Sequence, residues 1–93
     1  MKVFAVFDSA ANAYLTPFFF DTVPLALRAF TSAVNDEGHQ FHRHADDYTL
    51  FEIGMWDELT GELGTLSAYN RLCGGNEVSS SPSIPFESVK EAS

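Results

Sequence analysis

Basic residues are scarce in this 93-residue chain: five Lys and Arg stand against thirteen Asp and Glu, a net charge of −8. The five, Lys2, Arg28, Arg43, Arg71 and Lys90, are scattered rather than clustered. Nucleic-acid affinity comes largely from Lys and Arg neutralising phosphates, and anionic lipid attracts basic clusters, so charge disfavours both unaided DNA binding and membrane docking. Cysteine is nearly absent. Cys73 stands alone, cannot close an intrachain disulfide, and fits a reducing compartment. No apolar run approaches the ~18 residues of a membrane span, and no basic segment followed by an apolar stretch opens the chain. The expected location is cytoplasmic. Gly54, Gly61 and Gly64 lack the spacing and the following Lys of a phosphate-cradling loop.

What the chain has in quantity is aromatic side chains: nine Phe, three Tyr and one Trp. A chain of this length withdraws only roughly 60–65% of its unfolded surface on folding, so a lone copy is marginal and some rings are expected between chains. A homodimer is the expectation. Residues 2–8, KVFAVFD, alternate with apolar side chains on both faces, the pattern of a strand covered on both sides. SAANA turns the chain and YLTPFFF returns it, with Pro17 confining that strand to an edge or a bulge. Asp21 or Thr22 caps a helix whose first turn suits Pro24, and Val23, Ala26, Leu27, Phe30, Ala33 and Val34 repeat at helical spacing until Asn35-Asp36-Glu37-Gly38 stops them. Residues 39–47 have no period and read as a loop. YTLFEIGMW (48–56) alternates again, DELTG (57–61) turns with Gly61 at a position needing positive φ, and ELGTLS (62–67) pairs back.

The expected fold is therefore α+β: a four-stranded, mainly antiparallel sheet in the order β-β-α-β-β, with one helix on one face. Residues 1–70 form the single domain and 71–93 a disordered, flexible tail that docks, if at all, through Ile84 and Phe86. One helix covers one face of a sheet, so Val3, Phe4, Val6 and Phe7, with part of the triple Phe, are the expected dimer interface, meeting the sheet of a second copy.

His39, His42 and His44 with Asp46 and Asp47 are the only cluster of metal-capable side chains. A zinc site needs three or four donors converging at about 2.0–2.2 Å, and a loop without period does not encode that convergence. A solvated polar loop with one His capping locally is the better reading, so no metal and no cofactor are expected. The acidic pairs Asp36/Glu37, Asp46/Asp47 and Asp57/Glu58 sit at turns, where they solubilise or cap rather than supply contrasting acid and base. Cys73 has no placed His to activate it. No catalytic residue emerges, and a non-enzymatic protein is the expectation. Phe18, Phe19, Phe20 and Trp56 are the candidate contact residues, for a protein partner or, alternatively, for stacked bases of single-stranded DNA. The charge balance favours core and protein interface over bases.

As a set, Asp8, Pro17-Phe18-Phe19, Ala29-Phe30, Val34-Asn35-Asp36, Phe41, Asp47-Tyr48, Leu50-Phe51-Glu52-Ile53-Gly54 and Thr60-Gly61 resemble the small nonstructural protein of gokushovirus-type microviruses, phages with circular single-stranded DNA. The likeness covers about residues 3–66 and departs at Ala45, where that family carries proline. It implies a phage accessory protein outside the capsid, working in the host cytoplasm in genome replication or in the switch to single-strand synthesis and packaging. It brings no catalytic or ligand residues. An acidic chain of this kind is expected to act through a phage or host replication or packaging protein.

Overall fold

In the computed structural model, residues 1–79 are described. Strand β1 (Lys2–Asp8) forms antiparallel pairs on both its edges. On one side lie β2 (Ala13–Tyr14) and β3 (Phe18–Phe20), and on the other β4 (Tyr48–Asp57), which pairs in turn with β5 (Glu62–Gly74). The expected α+β antiparallel sheet is present, with five strands rather than four. The difference arises at Pro17: the returning chain pairs with β1 through Phe7↔Tyr14, leaves it at Leu15–Pro17, and rejoins through Phe4↔Phe18, Val3↔Phe19 and Lys2↔Phe20. A residue without an N–H fits there because β2 and β3 are edge strands.

Helix α1 (Val23–Val34) starts where Thr22 Oγ1 accepts the Leu25 N–H at 3.4 Å, with Pro24 in the first turn. Of the two capping candidates, Thr22 holds the role. Its apolar stripe, Ala26, Phe30 and Val34, is buried against Phe4, Val6, Tyr48 and Leu50, and this layer is the core.

Two segments depart from the sequence reading. Residues 39–47 are not an irregular loop but a short helix α2 (Gln40–Arg43) followed by a 3-10 turn (Ala45–Asp47). Phe41 anchors them, its ring 5.8 Å from Phe30 and 4.4 Å from Tyr48. The last strand does not stop at residue 67, nor does the fold end at 70: β5 runs to Gly74 and continues into α3 (Gly75–Val78). Cys73 pairs with Leu50 in the ladder and is buried, so the segment expected to open a tail is core. Asn35 Nδ2 donates to the Val78 carbonyl at 3.1 Å and ties α3 to the end of α1. Ile84 and Phe86 lie outside the described residues.

The ladder is broken in the middle of β4. Against β1, Ile53 is an extra residue between Phe4↔Glu52 and Val3↔Gly54; against β5, Leu66–Tyr69 bulge out between Gly54↔Thr65 and Glu52↔Asn70. Bulges increase local twist and spoil a flat edge for further pairing. Beyond the break the β4–β5 hairpin runs on to the turn at Asp57, Leu59 and Gly61, which takes φ 76° as that turn requires. The molecule measures 52 × 26 × 24 Å.

Candidate functional site: two aromatic surfaces

Alternation in β3 divides the three phenylalanines between the faces of the sheet. Phe18 and Phe20 join Phe4 on the helix side, with ring centroids 5.9 and 6.5 Å from it. They line a groove of about 470 Å³ between β3 and α1, closed by Leu15, Ala29, Ala33 and Phe41. Its walls are carbon except for Thr16, and it offers no converging acid, base or hydrogen-bonding set. Such a cleft can seat an apolar side chain.

Phe19 points to the opposite face, where its ring lies 6.4 Å from Trp56. Met1 and Leu63 complete that patch. The Met1 ammonium donates to the Trp56 carbonyl at 3.0 Å, and the Trp56 N–H donates to the Met1 carbonyl at 2.8 Å, which fixes the rim. At the other end of β1 a second patch is built from four strands: the Tyr14 ring lies tilted 4.9 Å from Phe7, 5.8 Å from Phe51 and 5.7 Å from Tyr69. Val3, Ala5 and Gly54 form the low strip between the patches. The side chains of both patches remain open to solvent: Tyr14 is 46% exposed, Phe19 40%, Tyr69 43% and Leu63 59%.

The expected dimer residues divide between the two faces of the sheet. Val3, Phe4 and Val6 are 3%, 0% and 3% exposed, so each is already covered within one chain. Phe4 and Val6 are covered by the helix, while Val3 belongs to the strip between aromatic patches. Phe7 alone of the four keeps part of its surface. Sequence reasoning missed Tyr14, Leu63 and Tyr69, which lie on edge strands and meet β1 and β4 only through the register.

Two of the cations, Lys2 and Arg71, are engaged in ion pairs. Lys2 Nζ sits 3.2 Å from Glu52, whose other oxygen accepts from Asn70 Nδ2 at 3.2 Å, so the buried Glu52 carboxylate is satisfied. Arg71 pairs with Glu77, which pushes the guanidinium pKa up and holds the Glu77 carboxyl below its usual range. His39 Nδ1 accepts the Phe41 N–H at 3.0 Å as the cap of α2, and His42 Nδ1 is 3.0 Å from the Val34 carbonyl. Among the described residues, no three His, Cys, Asp or Glu side chains converge on one point. The turn acids cap backbone: Asp8 to Ala10, Asp36 to Gly38 and Asp57 to Leu59, whose N–H is the main cause lowering the Asp57 pKa. Burial pushes the Cys73 thiol up, away from the thiolate a nucleophile needs.

No curated protein and no solved structure matches the chain. The sequence profile of one family, the phage ORF5 protein, matches residues 1–78, the span that contains every described strand and helix. With that much of its length matched, the chain belongs to the phage ORF5 protein family.

Proposed function

We propose that this phage protein is a non-enzymatic accessory factor that binds a protein partner during genome replication or the switch to single-strand synthesis and packaging. The observation that carries the reading is the groove of Phe18, Phe20, Leu15 and Ala29, apolar throughout but for Thr16, on a chain of net charge −8. The partner chemistry that fits is a basic segment with one bulky apolar anchor: the anchor fills the groove and the field of the chain steers the cations. Asp21 follows Phe20 in sequence, and Asp36 and Glu37 follow the helix that forms one wall, against Arg28 beside Ala29. The stage of infection rests on the resemblance to gokushovirus-type proteins, and the family match supports a phage protein.

Direct binding of single-stranded DNA on Phe19 and Trp56 is the competing reading, favoured by exposed rings on a sheet. It is weakened by charge, because Lys2 is held by Glu52 and Arg71 by Glu77, which leaves Arg28 and Arg43 as the other described side-chain cations on a chain of net charge −8. Calorimetry of the purified protein against the phage's replication and capsid proteins, with wild type and Ala29→Arg, tests the partner reading. Binding that Ala29→Arg removes supports it. Anisotropy of a labelled single strand tests the other: micromolar affinity that falls between about 50 and 200 mM salt would replace the protein-partner reading.

A further inference from the structure

We propose that the helix-free sheet face is a homodimer interface, in which two copies stack their sheets through Tyr14, Phe19, Trp56, Leu63 and Tyr69. This goes beyond the partner reading, which concerns the groove on the other side of the sheet. Three observations select a second copy as occupant.

The first is area. The exposed parts of Met1, Tyr14, Phe19, Leu63 and Tyr69 come to on the order of 500–600 Å² on one face, before the half-buried Phe7, Phe51 and Trp56 are added. A standard interface takes roughly 600–1,000 Å² from each partner, so the two patches together supply most of one side of such an interface.

The second is charge. Register places Val3, Ala5, Phe7, Phe51, Gly54, Trp56, Leu63, Thr65 and Arg71 on this face, and of these Arg71 alone is charged, already paired with Glu77. Two chains of net charge −8 repel over most of their surface. A face whose strands carry no carboxylate is where they can approach.

The third is shape. Two ring clusters flank a strip of Val3, Ala5 and Gly54, so a two-fold axis through the strip brings the clusters of one copy over those of the other. Closed, self-complementary contacts of this kind need one surface used twice, and sheets stacked face to face pack about 10 Å apart.

Light scattering of the purified chain at roughly 1 and 100 μM tests the assignment. At the higher concentration the wild type is expected at twice 10.3 kDa. Tyr69→Glu and Leu63→Asp bury a charge without a partner and are expected to weaken dimerisation ~100-fold or more. Leu25→Glu, at an exposed position on the helix layer, is expected to dimerise as the wild type does. Trp56, the one tryptophan, reports the same event by a concentration-dependent blue shift, present in wild type and Leu25→Glu and absent in Leu63→Asp. Circular dichroism identifies any variant that fails to fold, and should Tyr69→Glu do so, Leu63→Asp on the exposed strand decides. A wild type monomeric at the higher concentration, a dimer that survives both face substitutions, or one that Leu25→Glu breaks would overturn the proposal. All three are read without any partner protein, so they leave the groove reading untouched.

Discussion

Gly54 is the position where a single methyl group should do most damage. A Cβ there would meet the Gly64 carbonyl oxygen at 2.2 Å, with the Gly64 carbonyl carbon at 3.3 Å and Thr65 Cα at 3.4 Å. The first contact is about 1 Å inside van der Waals distance, and every atom it meets is backbone, so no rotamer relieves it. Relief requires β5 to move off β4 at Met55↔Gly64 and Gly54↔Thr65, the two pairs that anchor the hairpin beyond the bulge. Overpacking of this kind costs about 2–3 kcal/mol. In a domain of this size that corresponds to a melting midpoint roughly 10–20 °C lower. Gly64→Ala is the matched control, since a Cβ at Gly64 has nothing within 4 Å. It is expected to be neutral, or stabilising by about 0.5 kcal/mol through the unfolded chain. Urea denaturation of both variants in parallel gives the measurement. Equal midpoints for Gly54→Ala and Gly64→Ala would refute the close approach of β5, and with it the register assigned to the hairpin.

Other substitutions probe the remaining layers. Phe30→Ala removes the central ring of the α1 stripe, 2% exposed, and should cost about 3–4 kcal/mol in urea denaturation. Thr22→Ala deletes the α1 cap and should cost about 1 kcal/mol by the same measurement. Glu52→Ala leaves Lys2 and Asn70 without their shared acceptor and should destabilise by about 1–3 kcal/mol, more than Lys2→Ala, because Lys2 is the more exposed of the pair. Tyr48 and Cys73 are held protonated mainly by burial, with Asp8 and Asp47 adding to the first and Glu77 to the second. Their folded pKa values lie above the unfolded 10.0 and 9.0, so the stability they confer is complete below pH 9 and is lost as pH rises past those values. The denaturation midpoint should fall from about pH 9 upward, and the double variant Tyr48→Phe/Cys73→Ala should flatten that slope.

The parts of the fold legible in the sequence are those a single segment encodes. Thr22, Pro24 and the spacing of Ala26, Phe30 and Val34 specify α1 without reference to anything else, and alternation in FFF places Phe18 and Phe20 opposite Phe19. What was hidden depends on partners distant in sequence. The helix Gln40–Arg43 is shorter than any periodicity can reveal, and it forms because Phe41 finds Phe30 and Tyr48 and because His39 lends a ring nitrogen as cap. The full length of β5 was concealed by Leu66–Tyr69, four bulged residues that break alternation where the strand is in mid-course. What covers the second face of β1 was hidden for a related reason. A pattern apolar on both faces says that a strand is covered twice, and it does not say by what; here one cover is α1 and the other is Tyr14, Phe51 and Tyr69 from three neighbouring strands.

The same distinction explains why so short a strand as β3 carries three rings. A strand with its second face in water would have a polar residue at the position of Phe19, and the groove would lose nothing by it, because Phe18 and Phe20 alone reach that side. Phe19 contributes to the opposite patch, where it meets Trp56 from the far side of β1 and leaves two-fifths of its own surface in solvent. That exposed ring area is part of what the proposed second copy would cover. The groove and the open face thus share β3 as a common wall, with α1 on one side of it and the proposed second copy on the other. A partner seated against Phe18 and Phe20 would then act on a chain whose opposite face is already occupied, presenting two grooves to the partner across one two-fold axis.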